Sequence, residues 1–170
     1  APGGLPLSEK DVEGHVAVHR QQGRPRPRRM TVLLVAPQEP DVARLREALD
    51  SPDRVLVWGR SREAAANVLD RRHVDALVTR LNAPRIQGLA LLELTRQRNP
   101  EAGAVLLIEP DEEERATGAM QRGVFDFQRR PWNAEKIVRV LQRIGERQQV
   151  LEEISRLHQK LDRTLSFPSL

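Results

Sequence analysis

Apolar residues along this chain follow two rhythms that alternate. Short runs of branched apolar residues have the length and composition of strands buried on both faces: "TVLLVA" (31–36), "RVLVWG" (54–59), "VDALVTR" (74–80), "GAVLLIE" (103–109) and "VFDFQRRP" (124–131). Between them lie stretches whose apolar residues recur three and four apart. "EPDVARLREALD" places Val42, Leu45, Ala48 and Leu49 on one stripe, and "SREAAANVLDRR" opens with Ser61 as an N-cap. "GLALLELTRQRN" stops before Pro100, "DEEERATGAMQRG" ends at Gly123, and "NAEKIVRVLQRI" begins a fifth helix.

Strands alternating with helices pair in parallel through right-handed crossovers, so the pattern predicts an α/β fold: a doubly wound, five-stranded parallel sheet with helices on both faces. Chemistry in such folds gathers outside the carboxyl ends of the strands. That directs attention to "APQEP", "TRLNAP", "IEPDE" and "QRRPW".

Both flanks differ from this middle. Residues 1–29 read as a Pro/Gly-rich linker or arm with one short helix starting at Ser8. Past residue 143 the sequence stays helix-favouring but becomes highly charged. Ile144, Leu151, Ile154, His158, Leu161 and Leu165 recur at three- and four-residue intervals, with Arg147 completing a seam. The expected organisation is an arm (1–29), a domain (30–143) and a C-terminal helical extension (144–170). The seam predicts a coiled-coil dimer; an amphipathic helix folded back on its own domain is the alternative.

Composition narrows the class. With 39% apolar and 31% charged residues in 170, the chain has room for one core, and its apolar runs are too short to span a bilayer, so no membrane partner is expected. Absent cysteines exclude disulfides and thiolate metal sites and fit a reducing cytoplasm. A net charge of +4 and a pI near 10.5 keep nucleic acid open as a partner. However, only Lys10, Lys136 and Lys160 among the 28 basic residues are lysines, a bias of GC-rich coding rather than of a binding surface. The dense run "RQQGRPRPRR" reads as a solvated linker. His15, His73 and His158 have no partners at metal-ligand spacing, so neither a metal nor a cofactor is expected. Trp58 and Trp132 read as core or interface residues, Trp132 lying on a face suited to association.

Three segments, "MTVLLVAPQEPDVARLREAL", "VDALVTRLNAPRIQGLALLELTRQRNP" and "AMQRGVFDFQRRPWNAEKIVRVLQR", in this order and spacing, resemble the receiver domain of bacterial two-component response regulators. The resemblance covers about residues 30–143. It implies a flavodoxin-like sheet in the order 2-1-3-4-5. It also implies a site in which an acidic pair after the first strand holds Mg²⁺ and an aspartate ending the third strand accepts a phosphoryl group. A hydroxyl after the fourth strand and a lysine after the fifth then sense it. Mapped residue by residue, the acidic pair falls on Ala36 and Pro37, and the phosphoacceptor on Arg80. The hydroxyl position falls at or near Ile108, the aromatic switch on Phe127 and the lysine on Arg130. Every chemical position is changed, and no acid lies between Asp75 and Glu93 to restore the site by a shift of register. Thr79 reads as core.

The expected reading is therefore a degenerate pseudo-receiver: a non-enzymatic, phosphorylation-independent module of signal transduction and transcription regulation. It would act by contact with a second copy of itself and with a signalling partner or output domain. Arg80, Arg85, Arg129 and Arg130 are expected on one edge with Glu39, Glu109 and Asp111, pairing among themselves. Two alternatives stand beside this: a small-anion or nucleotide sensor using the Arg80/Arg130 edge, and a nucleic-acid-binding transcription or antitermination regulator.

Overall fold

The computed structural model describes residues 29–166, with side chains through residue 164. Strands β1 (Met30–Val35), β2 (Arg54–Gly59), β3 (Ala76–Arg80), β4 (Gly103–Ile108) and β5 (Asp126–Arg129) form one five-stranded parallel sheet in the order β2-β1-β3-β4-β5. Helices α1 (Pro40–Leu49), α2 (Arg62–Arg71), α3 (Gly88–Arg98), α4 (Glu113–Ala119) and α5 (Ala134–Ser166) connect and follow them. This is the doubly wound sheet expected from the alternation, in the strand order implied by the resemblance.

The two faces follow from the period-2 geometry of a strand. Leu33, Val35, Leu77, Leu106 and Ile108 point to one side and pack with Ala65, Leu69, Leu91, Leu92, Ala116 and Ala119 from α2, α3 and α4. Val32, Leu34, Ala76, Val78, Val105 and Leu107 point to the other and pack with Val42, Leu45, Leu49, Ile137, Val140, Leu141 and Ile144 from α1 and α5. Each fully buried valine, leucine or isoleucine side chain among them contributes about 1.5–3 kcal/mol.

Several boundaries move. β3 begins at Ala76 rather than at residue 74, although Val74 is buried, because the Asp75 carboxylate turns inward and accepts the Thr31 N–H at 2.7 Å. The fourth helix is not continuous. Pro110–Glu112 is a 3-10 turn with a reciprocal capping box between Glu109 and Glu112, α4 follows, and a second 3-10 turn, Met120–Arg122, runs into Gly123 at φ 94°. The loop after β3 holds a small hairpin, Asn82–Ala83 with Ile86–Gln87, that the turn signals do not announce. Ser61 Oγ does cap α2, accepting the Ala64 N–H at 3.2 Å.

α5 is one uninterrupted helix through residue 144, with no break at the expected domain boundary. Ile144 is buried against β4, where its side chain occupies the space a side chain at Gly103 would need. The last buried residue among the described ones is Gln148, whose Nε2 donates to Asp75 O at 2.9 Å and Glu101 O at 3.1 Å. Ile144 is therefore a core residue and not part of a dimer seam. The expected helix at Ser8, His15, the basic run up to residue 28 and the side chain of Leu165 lie outside the described residues; Arg29, the last residue of that run, donates to Arg54 O at 3.0 Å.

Candidate functional site

The carboxyl ends of β1, β3, β4 and β5 meet at one cluster of charges. Arg80, the last residue of β3, is only 6% exposed. Gly88 lets the chain close behind it: a Cβ there would lie 2.5 Å from Arg80 O. The guanidinium reaches out of the core between two carboxylates. Nη1 donates to both Glu39 oxygens, at 3.4 and 3.2 Å, and Nη2 donates to Glu109 Oε2 at 3.1 Å and to Asn82 O at 3.4 Å.

Arg130, just past β5, completes the cluster. Its Nε donates to both Glu109 oxygens, at 3.0 and 2.9 Å, Nη2 donates to Glu39 at 3.2 Å, and Nη1 donates to Asp41. Burial works to lower the basicity of Arg130, but the bonds to Glu109, Glu39 and Asp41 outweigh it and hold the guanidinium above its ordinary value. Trp132 closes the cluster, its ring centroid 4.0 Å from the Arg130 guanidinium carbon and 5.3 Å from that of Arg80. The indole N–H donates to Ile108 O at 3.2 Å. The Arg130–Pro131 peptide is cis.

Glu109 is the hub. Its carboxylate takes both guanidiniums and the Glu112 N–H, so it ties the third and fifth strand ends to the start of α4. Two guanidiniums face three carboxylates, Glu39, Asp41 and Glu109, and so are not left uncompensated for an external anion. Such hydrogen-bonded, part-buried ion pairs fix loop geometry more than they add stability.

Four expectations are corrected. Arg85 stands apart at φ 63°, and its guanidinium pairs with Glu63 at 3.7 Å, with both side chains well exposed. Arg129 turns to the other face and pairs with Glu113 of α4 at 3.3 Å. Asp111 is exposed and makes no ion pair with the cluster. Ile108 is wholly buried in the core facing α4, so it is Glu109, one residue on, that enters the site.

At the other mapped positions, Ala36 is buried and its carbonyl accepts the Trp58 indole N–H at 2.9 Å; Pro37 is half-buried. Phe127 is half-buried against the α4-side core, and Thr79 is buried with its hydroxyl on Arg80 O. Asp41 and Trp132 are members of the cluster that sequence reasoning missed. The signal for Asp41 was its place two residues after Glu39, in the first turn of α1. His73 lies 3.3 Å from Asp75, away from this site. No group of three or more His, Cys, Asp or Glu side chains placed to hold a metal ion occurs among the described residues, and no helix there is long and apolar enough to cross a membrane.

Comparison with known proteins agrees with the fold. The nitrogen assimilation regulatory protein NtrX of Azorhizobium caulinodans is 32% identical over 79 residues, covering 46% of this chain and 17% of that protein. The response regulator protein FleR of Pseudomonas aeruginosa is 35% identical over 105 residues, 58% of this chain and 22% of FleR. The chain thus spans less than a quarter of the length of either relative. Among solved structures, the signal receiver domain of an HD domain-containing protein from Pseudomonas fluorescens Pf-5 aligns with a TM-score of 0.65 at 26% identity, covering 76% of this chain and 96% of that one. Residues 32–142 match the family model described as the response regulator receiver domain, and the chain belongs to that family.

Proposed function

We propose that this chain is a phosphorylation-independent receiver: a regulatory module that works by contact with other proteins and carries out no turnover. The observation that carries this reading is the Arg80 guanidinium at the end of β3, clamped between Glu39 and Glu109. Phosphoryl transfer to a receiver needs a carboxylate nucleophile at that strand end, and Mg²⁺ needs hard oxygen ligands beside it. Here the strand end carries a cation, Ala36 and Pro37 follow β1, and the nearby carboxylates are engaged by arginines that repel a divalent metal.

In this reading the ion pairs take over the part played elsewhere by the phosphoryl group. Glu109 links Arg80 and Arg130 to the α4 cap, so the loop before α4 is held in one arrangement without a covalent signal. Regulation then rests on which protein or output domain meets this fixed surface and on association with a second copy. The test is incubation with Mg²⁺ and acetyl phosphate followed by intact mass measurement. The chain is expected to acquire no phosphate adduct; an adduct labile to hydroxylamine would overturn the reading.

A further inference from the structure

β2 is an edge strand: it pairs with β1 and, among the described residues, with no strand on its other side. The Ala36 N–H donates to Gly59 O at 3.1 Å, so the backbone groups of Gly59, and by alternation those of Val55 and Val57, point toward β1. The N–H and C=O of Leu56 and Trp58 therefore point outward. The strand runs six residues beside β1 in unbroken register and holds no proline, so its outer edge can accept a further strand. The side chains beside that edge are cationic. Trp58 packs on the α1 face with its indole N–H tied to Ala36 O, and the guanidinium carbons of Arg46 and Arg60 stand 4.1 and 4.6 Å from its ring centroid. Neither guanidinium forms an ion pair with a described residue, in contrast to Arg80 and Arg130, and Arg60 is exposed. Asp50 and Asp53 act on Arg54, at the other end of the strand. Two like charges on one ring leave a positive field that an external carboxylate neutralises.

We infer that the β2 edge binds an extended acidic segment of a partner protein, which adds a strand through Leu56 and Trp58 and brings a carboxylate to Arg46 and Arg60. The inference rests on the reading of this chain as a contact module and supplies a surface for it. Main-chain hydrogen bonds to the outward N–H and C=O groups give such a segment its affinity, and its alternate side chains, set on the α1 face, give selectivity for acids. The same charges exclude a second copy from the edge. When two copies pair through Leu56 and Trp58, parallel strands set Arg60 against Arg60 and antiparallel strands set it against Arg54, so like charges face each other either way. A nucleic acid meets the arginines but leaves the outward backbone groups without a ladder, so a peptide is the occupant that uses the whole edge.

Trp58 reports the event directly in a Trp132→Phe background, where it is the only tryptophan of the chain. The full chain is titrated with a short capped peptide of alternating glutamate and valine. A saturable change in Trp58 emission is expected, weakened by added salt. The dissociation constant is expected to rise about tenfold or more for Arg60→Glu, at an exposed position, and for the same peptide N-methylated throughout, which has no N–H to donate to the ladder. The absence of a saturable change overturns the proposal, as does an equal constant for Arg60→Glu, for the N-methylated peptide or for a peptide of alternating lysine and valine. Tighter binding of a single-stranded oligonucleotide assigns the edge to nucleic acid and also overturns it. A phosphate adduct in the mass measurement would sink the phosphorylation-independent reading while leaving the peptide titration untouched, so the two failures are distinguishable.

Discussion

Replacing Glu109 with glutamine probes the ion-pair cluster at its hub. The substitution keeps shape and removes the charge that Arg80 Nη2 and Arg130 Nε share. Hydrogen bonds to charged partners contribute about 1.5–3 kcal/mol each. Glu109 is a third exposed, so water screens part of that and replaces part of what is lost. A net cost of about 2 kcal/mol follows, which at a urea m-value of about 2 kcal/mol/M lowers the midpoint by about 1 M. Arg85→Ala serves as the control, since its exposed contact with Glu63 at 3.7 Å is worth at most about 0.5 kcal/mol. Glu109 also caps the turn before α4, and a cycle with Arg80→Met separates the two roles, because the cap contributes equally with and without the arginine. The expected coupling between Arg80 and Glu109 is about 1–2 kcal/mol. Urea unfolding followed by circular dichroism and by tryptophan emission measures all four corners. A Glu109→Gln midpoint shift no larger than that of Arg85→Ala, or strictly additive single variants, would refute the hub.

Further outcomes follow from the packing. Gly88→Ala brings a Cβ to within 2.5 Å of Arg80 O, a backbone atom that cannot swing aside, and is expected to cost about 1–3 kcal/mol in thermal or urea unfolding. Gln148→Ala removes the side-chain donor that Asp75 O and Glu101 O share, while Asp75 O keeps the Gly103 N–H at 3.1 Å, with an expected loss of about 1 kcal/mol. Trp132→Phe removes the bond to Ile108 O and weakens the contact with Arg130; a loss of about 1 kcal/mol is expected, together with faster acrylamide quenching of a reporter placed in the β5–α5 loop. Arg80→Asp is expected not to restore phosphorylation by acetyl phosphate, because Ala36 and Pro37 still supply no metal ligands; a phosphate adduct on the introduced carboxylate would show that the neighbouring acids suffice.

The fold was legible because a doubly wound sheet writes itself plainly. Its strands are buried on both faces, so "TVLLV" and "GAVLLI" stand out as continuous apolar runs between amphipathic helices. The pairing of Arg80 and Arg130 with Glu39 and Glu109 followed from charge and from the strand ends that carry them. Side-chain direction was harder to read. Arg129 and Arg130 are neighbours in sequence, yet Arg129 reaches Glu113 on the α4 face while Arg130 reaches Asp41 on the α1 face. Likewise Ile108 and Glu109 differ by one position, and a one-residue step at a strand end exchanges core for site.

The seam on α5 misled for another reason. Ile144 satisfies the heptad spacing equally well whether it faces a second helix or its own sheet, and only the docking at Gly103 and Gln148 decides between them. Val150 and Leu157, which are exposed on the same helix with Ile154 and Leu161, were passed over because a seam begun at Ile144 places them one step to the side.

The sharpest test of a site held by its own charges is a titration with beryllofluoride in the presence of Mg²⁺, followed by the emission of Trp132 in a Trp58→Phe background. Trp132 stacks on Arg130 and hydrogen-bonds Ile108 O, so any ligand that displaces the arginines alters its spectrum. The emission maximum and intensity are expected to be the same with and without both additives. A saturable change that requires Mg²⁺ would show instead that the arginines yield to a phosphoryl mimic.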